Sequence, residues 1–376
     1  MKIRNFLFPL SLFALACTTE QSTAPDAEVR FARGGNGGGN GGSTTIAPVR
    51  LDDPRKLGCS STEGFLVYSA TPTRVIGSCT RTSGIVSPYL WTSGAGGSVL
   101  ELENAWVRGL TTDGTMFGEV NGSPFFQTVS GFATLLPMPT ANPYGDVYDV
   151  TPNGETVVGA EERPTPSGWV QIPLVWTRAG TGPWGIEALP GVGNAVSASG
   201  QIIAGAYSGH AAIFERSGGP FEARTLPDGG AISSRALGIN EDGTVVVGTR
   251  SIPLTLDPTG SYEEHVAWIL DAAGGWTLKV LGGLNVGEGR AYSAEYQTDG
   301  RLVVVGYSWE DKNGPNEQLW AVAWRQTSGS WDFDAPIRLE PITKGASAIA
   351  YSVNSKGEIV GTAWTRKSTV AVMWKM

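Results

Sequence analysis

Along most of the chain, short apolar runs alternate with polar turns at a nearly regular interval. The phrase INEDGTVVVG, residues 239–248, shows the unit most clearly. Its Asp-Gly pair suits a tight hairpin turn, where glycine takes the positive φ that other residues avoid. The VVVG run that follows is β-branched and short, as a buried strand should be. Related phrases are TTDGTMFG (111–118), TPNGETVVG (151–159), SASGQIIAG (197–205), QTDGRLVVVG (297–306) and NSKGEIVG (354–361), with a weaker TPTRVIG at 71–77. Their last glycines, Gly77, Gly118, Gly159, Gly205, Gly248, Gly306 and Gly361, lie 41 to 58 residues apart, an interval suited to propeller blades.

Each unit continues with a segment ending in an aromatic residue: Trp91, Phe126, Trp176, Phe214, Trp268, Trp324 and Trp374. A fourth segment ends in Leu, often with Pro or Gly, as in TLLP, EALP, RTLP and KVLG. No stretch has the period of an amphipathic helix. Four strands in each of seven units predict an all-β, seven-bladed β-propeller. The last unit stops at VMWKM, one strand short, and IAPVRLDD (46–53) reads as an orphan strand ahead of the first unit. Docking one on the other would close the ring and remove two exposed sheet edges.

The pattern A-x-x-I-N-x-x-G-x-V-V-G followed by A-x-x-W, best kept in RALGINEDGTVVVG and HVAW, resembles the HAF repeat family of exported bacterial proteins. The resemblance covers nearly all of residues 60–376 and implies a secreted propeller. It implies no catalytic residues, because the family is defined by its scaffold.

The N-terminus changes the picture of where the chain works. MKIRNFLFPLSLFALAC places Lys2 and Arg4 before an apolar run too short to span a membrane, the form of an export signal over residues 1–16. Ala14-Leu15-Ala16-Cys17 resembles the lipobox of bacterial lipoproteins, although Ala14 stands where Leu is usual. The resemblance implies a lipid on Cys17, membrane attachment and an outer-membrane or cell-surface location; the alternative is plain secretion. Residues 17–45 read as a flexible Gly-rich tether, and 46–376 as the propeller. With Cys17 lipidated, Cys59 and Cys79 remain as a possible disulfide rather than a metal site.

Loss of Lys2 and Arg4 would leave 25 of the 27 basic residues against 35 acidic ones, a net charge of −10 that argues against nucleic acid. No EF-hand loop or zinc ligand set is present, no cofactor is indicated, and a monomer is expected. The two histidines, His210 and His265, have no marked nucleophile beside them.

Candidate chemistry lies in what the units do not share. Long links between second and third strands occur at 160–173, 249–265 and 307–320, and should emerge on one face. They carry Glu161, Glu162, Trp169, Tyr262, Glu263, Glu264, His265, Trp309, Glu310, Asp311, Glu317 and Trp320. Flat aromatic area beside hydrogen-bonding carboxylates suits sugars, cationic ligands or a protein surface. The leading expectation is a binding or scaffold module for a polysaccharide or protein at the cell envelope. A carbohydrate-active hydrolase or lyase with carboxylates around the channel, and a structural envelope protein without a ligand, are the alternatives.

Overall fold

The computed structural model describes residues 45–376 except 69–71, 130, 142–143, 167, 255–256, 285–287, 311–317, 329 and 331. The expected export signal, Cys17 and the expected tether up to residue 44 lie outside the described residues.

The chain forms seven antiparallel sheets arranged as a seven-bladed propeller, with strands running from the central axis outward in chain order. Blade 1 opens with Cys59–Tyr68, blade 2 with Ala105–Leu110, blade 3 with Gly145–Val150 and blade 4 with Val192–Val196. Blades 5, 6 and 7 open with Ser233–Ile239, Gly289–Tyr296 and Ala348–Val353. The predicted closure is present: Val49–Arg50 pairs antiparallel with Val372–Met373 as the outer strand of blade 7. Just before it, Thr45–Ile46 adds a parallel fifth strand to blade 6 against Arg338–Leu339, which the sequence did not suggest. The N-terminal segment therefore binds two blades in succession.

All seven first strands carry a bulge at the same place, with the extra residue being Phe65, Arg108, Tyr148, Asn194, Leu237, Tyr292 or Tyr351. The repeated glycine of the second strand lies opposite this bulge. A Cβ on Gly77, Gly118, Gly159, Gly205, Gly248, Gly306 or Gly361 would fall 1.6 to 2.1 Å from a first-strand carbonyl oxygen. Close backbone approach, not positive φ, thus explains these seven glycines. The turn glycines are the other case: Gly154, Gly243 and Gly300 have φ of 70°, 73° and 78°.

Among the described residues the buried apolar side chains fall into seven clusters, one at each interface between neighbouring blades. The repeated tryptophans also act as staples. Trp176, Trp268, Trp324 and Trp374 are fully buried. Each donates its Nε1 hydrogen, over 2.6 to 2.8 Å, to a carbonyl in the link that enters its blade: Pro137, Pro227, Gly282 and Glu340. Cys59 and Cys79 form a disulfide between the first two strands of blade 1.

Gly248→Ala should lower the unfolding free energy by about 2–4 kcal/mol in chemical denaturation, because the bulge cannot yield to a methyl group. Gly219→Ala, where a Cβ meets nothing within 4 Å, should stay within about 0.5 kcal/mol of the parent.

Candidate functional site

The inserted segments are β-hairpins rather than loops. In blade 3, Thr156–Thr165 pairs with Gly168–Thr177 out to the tip. Blade 5 extends likewise through Val245–Leu254 and Asp257–Leu270, and blade 6 through Leu302–Glu310 and Gln318–Arg325. These hairpins and the links between blades share one end of the propeller.

Most of the carboxylates expected to bind a ligand have partners within the hairpins or in neighbouring segments. Glu161 is fully buried and accepts hydrogen bonds from Thr140 and from Arg163 Nε at 2.8 Å. Glu264 takes Arg250 Nη2 at 2.7 Å and the Tyr262 hydroxyl at 3.0 Å. Glu263 is bound by two nitrogens of Arg290 in the next blade, at 2.9 and 3.2 Å. Glu310 accepts from Arg338 and, at 2.7 Å, from Trp320 Nε1. Arg338 also stacks 4.9 Å from the Trp320 ring, and Trp309 meets Tyr307 edge-on. Asp311 and Glu317 lie outside the described residues.

His265 is a core residue. It is 1% exposed, its ring lies 4.8 Å from that of Trp324, and Nε2 is 2.8 Å from the Tyr307 carbonyl oxygen. Burial lowers its pKa to about 4, so at neutral pH it is uncharged and Nε2 carries the hydrogen that it donates. His210 lies elsewhere, on the rim between blades 4 and 5. Its Nδ1 is 3.0 Å from Asp228 Oδ2 in a shallow cavity of about 480 Å³ that Arg224 and Trp276 also line.

Two expected residues do sit at an open site. Trp169 is 42% exposed and meets Tyr144, also 42% exposed, edge-on at 5.7 Å. Tyr144 and the Glu119 carboxylate both flank Gly122 in blade 2. Glu119 in turn interacts with Asp146 and Glu162 across the start of blade 3. Trp169 and Glu162 therefore adjoin a group of carboxylates that sequence reasoning missed.

That group lies at the hairpin-side end of the propeller axis, termed the channel mouth. Just ahead of the bulges, the seven first strands present Glu63, Trp106, Asp146, Val192, Arg235, Arg290 and Ile349. The bulge residues form the next layer. Tyr292 meets Tyr351 at 5.5 Å, Tyr351 meets Phe65 at 5.9 Å, and the Arg108 guanidinium lies 5.6 Å from the Phe65 centroid. Around Arg108, burial raises Glu63 and takes Asp146 to about 6; burial and Asp146 together push Glu119 to about 7. Asp146 Oδ1 is buried with no hydrogen-bond partner. Nearby Asp149 is equally enclosed, yet its two oxygens accept the Val150 and Val196 N–H groups at 2.8 Å each, which makes it a structural cap. The missed signal was the first variable position of A-x-x-I, which is Phe, Arg, Tyr, Asn, Leu, Tyr and Tyr in successive units while the glycine opposite it repeats. Among the described residues no three His, Cys, Asp or Glu side chains converge as metal ligands.

No protein-family model and no curated protein matches the chain. Solved structures match in fold. The β-propeller domain of the trilobed protease from Pyrococcus furiosus aligns at TM-score 0.51 and 10% identity, over 84% of this chain and 95% of that one. Pyrococcus horikoshii acylaminoacyl peptidase gives TM-score 0.52 and 10% identity over 86% of this chain and 52% of its own. A puromycin-hydrolyzing peptidase from Mycobacterium tuberculosis gives 0.51 and 13%, over 85% and 52%. This chain thus spans about half of either peptidase, and the likeness is one of fold.

A pH titration tests the placement of His265. Unfolded histidine takes a proton near pH 6.5 whereas the folded residue resists it until about 4, so its contribution to stability is present above 6.5 and lost as pH falls through 4. Imidazole NMR should show His265 still neutral at pH 5; a protonated signal there would contradict the buried, carbonyl-bonded ring.

Proposed function

We propose that the protein is an exported, lipid-anchored binding module whose ligand is a cell-envelope polysaccharide, seated at the hairpin-side mouth of the channel. The observation that carries this reading is the exposed Tyr144–Trp169 pair beside Glu119. Sugar rings stack on such aromatic surfaces through their C–H faces, while neighbouring carboxylates accept hydroxyl hydrogen bonds. The site is also asymmetric on a repeating scaffold: among the described residues, the carboxylates around Arg108 come from blades 1 to 3, whereas a second acidic group, Glu241, Asp242 and Glu295, belongs to blades 5 and 6. A repeating framework with one distinct sector suits selective recognition better than a purely structural role. The lipid on Cys17 and the tether to residue 45 would hold this site near the membrane while leaving it free to search.

The test is a glycan-array and envelope-polysaccharide binding screen on the mature chain. Trp169→Ala and Tyr144→Ala should each weaken binding of any retained glycan by about tenfold or more without lowering thermal stability. Unchanged binding in both variants would remove this mouth as the site. Cys17→Ser should abolish fatty-acid labelling in cells and move the protein from the membrane to the soluble fraction; labelling that persists would refute the anchor.

A second reading is favoured by Glu119 and Asp146 themselves. Two coupled carboxylates raised to about 7 and 6 can hold one proton between them near neutrality, as the acid of a glycoside hydrolase must. Release of shorter sugars from a bound polysaccharide, lost in Glu119→Gln, would convert the module into an enzyme.

A further inference from the structure

Within the channel mouth, Glu63, Glu119 and Asp146 gather around one guanidinium, while Arg290 of the same ring is held by Glu263 and Arg235 reaches towards Tyr148. Arg108 is the guanidinium that acts on Glu63, Glu119 and Asp146 together. It is already engaged over the Phe65 ring at 5.6 Å. Once Asp146 and Glu119 are ionised, above about pH 7, three carboxylates around one guanidinium leave an excess of negative charge in an enclosed place, where such an excess is costly. Glu63 accepts the Ser78 hydroxyl at 3.3 Å, which relieves it in part. The Asp146 carboxylate takes the Val147 N–H, but its Oδ1 is buried without a donor. The scaffold does not need this oxygen left so, since Asp149 nearby shows how a structural carboxylate is satisfied by backbone N–H groups.

The aromatic wall points the same way. Tyr148 is held beside Asp146, and Phe65, Tyr351 and Tyr292 continue the layer through ring contacts of 5.5 to 5.9 Å. Aromatic faces attract cations, and Arg108 over Phe65 demonstrates the arrangement inside this channel.

We infer that the site selects an ammonium group on its ligand, so that the polysaccharide is one bearing free amino sugars, with the ammonium donating to Asp146 and Glu119 beneath the Tyr144–Trp169 platform. This rests on the glycan reading of the same mouth and adds the chemistry that distinguishes one glycan from another. An ammonium supplies the donor that Asp146 Oδ1 lacks and offsets the excess charge. An N-acetylated sugar of the same shape does neither.

The experiment is calorimetric titration of the mature chain with a β-1,4-linked glucosamine hexamer and with its fully N-acetylated counterpart, at a pH where the amines are charged. The glucosamine hexamer should bind at least about tenfold more tightly, and raised salt should narrow the gap. Asp146→Asn and Glu119→Gln should each abolish most of that preference, bringing the affinity for the glucosamine hexamer down to that for its N-acetylated counterpart. Trp169→Ala should weaken both ligands alike. Circular dichroism melts identify any variant that fails to fold, and the two acid variants are independent of one another. Equal affinity for the two hexamers would overturn the ammonium inference while the glycan reading stands. Binding of neither hexamer, together with tight binding of a lysine-rich peptide abolished by Asp146→Asn, would overturn the amino-sugar inference in favour of a protein ligand. Retention of the preference in both acid variants would also overturn it.

Discussion

The whole ring depends on one close backbone approach. In every blade the bulged first strand pushes a carbonyl against the second strand, and only glycine admits it. The bulge adds a residue at the inner edge of each sheet, and that residue faces its counterparts around the axis, as the contacts linking Tyr292, Tyr351, Phe65 and Arg108 show. The constraint that shapes the blade therefore also builds the channel lining. Because the backbone sets the geometry, the bulge residue itself is free to be Phe, Arg, Tyr, Asn or Leu.

Blade-to-blade packing preserves this arrangement. An apolar cluster fills each interface, and the four tryptophan staples bind each of their blades to the link that enters it. Around the axis, Asp149, Ser293 and Ser352 accept N–H groups of the following blade's first strand. Closure comes from strand pairing at Val49–Arg50, with Thr45–Ile46 reaching the preceding blade. A rigid inner ring suits a site whose carboxylates must stay enclosed, since an enclosed charge tolerates little movement of its partners.

The blade count, the turn glycines and the closing strand were legible because each follows from local pattern. Asp-Gly before VVVG specifies a hairpin without reference to anything distant. The role of the strand-ending glycines was legible only in outline, since the carbonyl they accommodate belongs to another strand. The partners of the hairpin carboxylates were not legible because they are fixed by register: Glu263 meets Arg290 across 27 residues and a blade boundary, and Glu310 meets Arg338 across 28. His265 looked accessible beside two glutamates, yet strand alternation turns it inward against Trp324. Trp169 was recognisable as a bulky aromatic in an insertion. Glu63, Arg108 and Asp146 were hidden because a variable position next to repeated ones shows diversity but not direction; only the fold reveals that it faces the axis.

The central claim is that recognition resides at this asymmetric mouth. Carboxyl footprinting of the chain, with and without purified envelope polysaccharide, tests it most directly. The account predicts protection of the part-exposed Glu119 and Glu63 while the exposed Glu101 and Glu222 label as before. Protection confined to the rim, or none at the mouth when polysaccharide is bound, would contradict it.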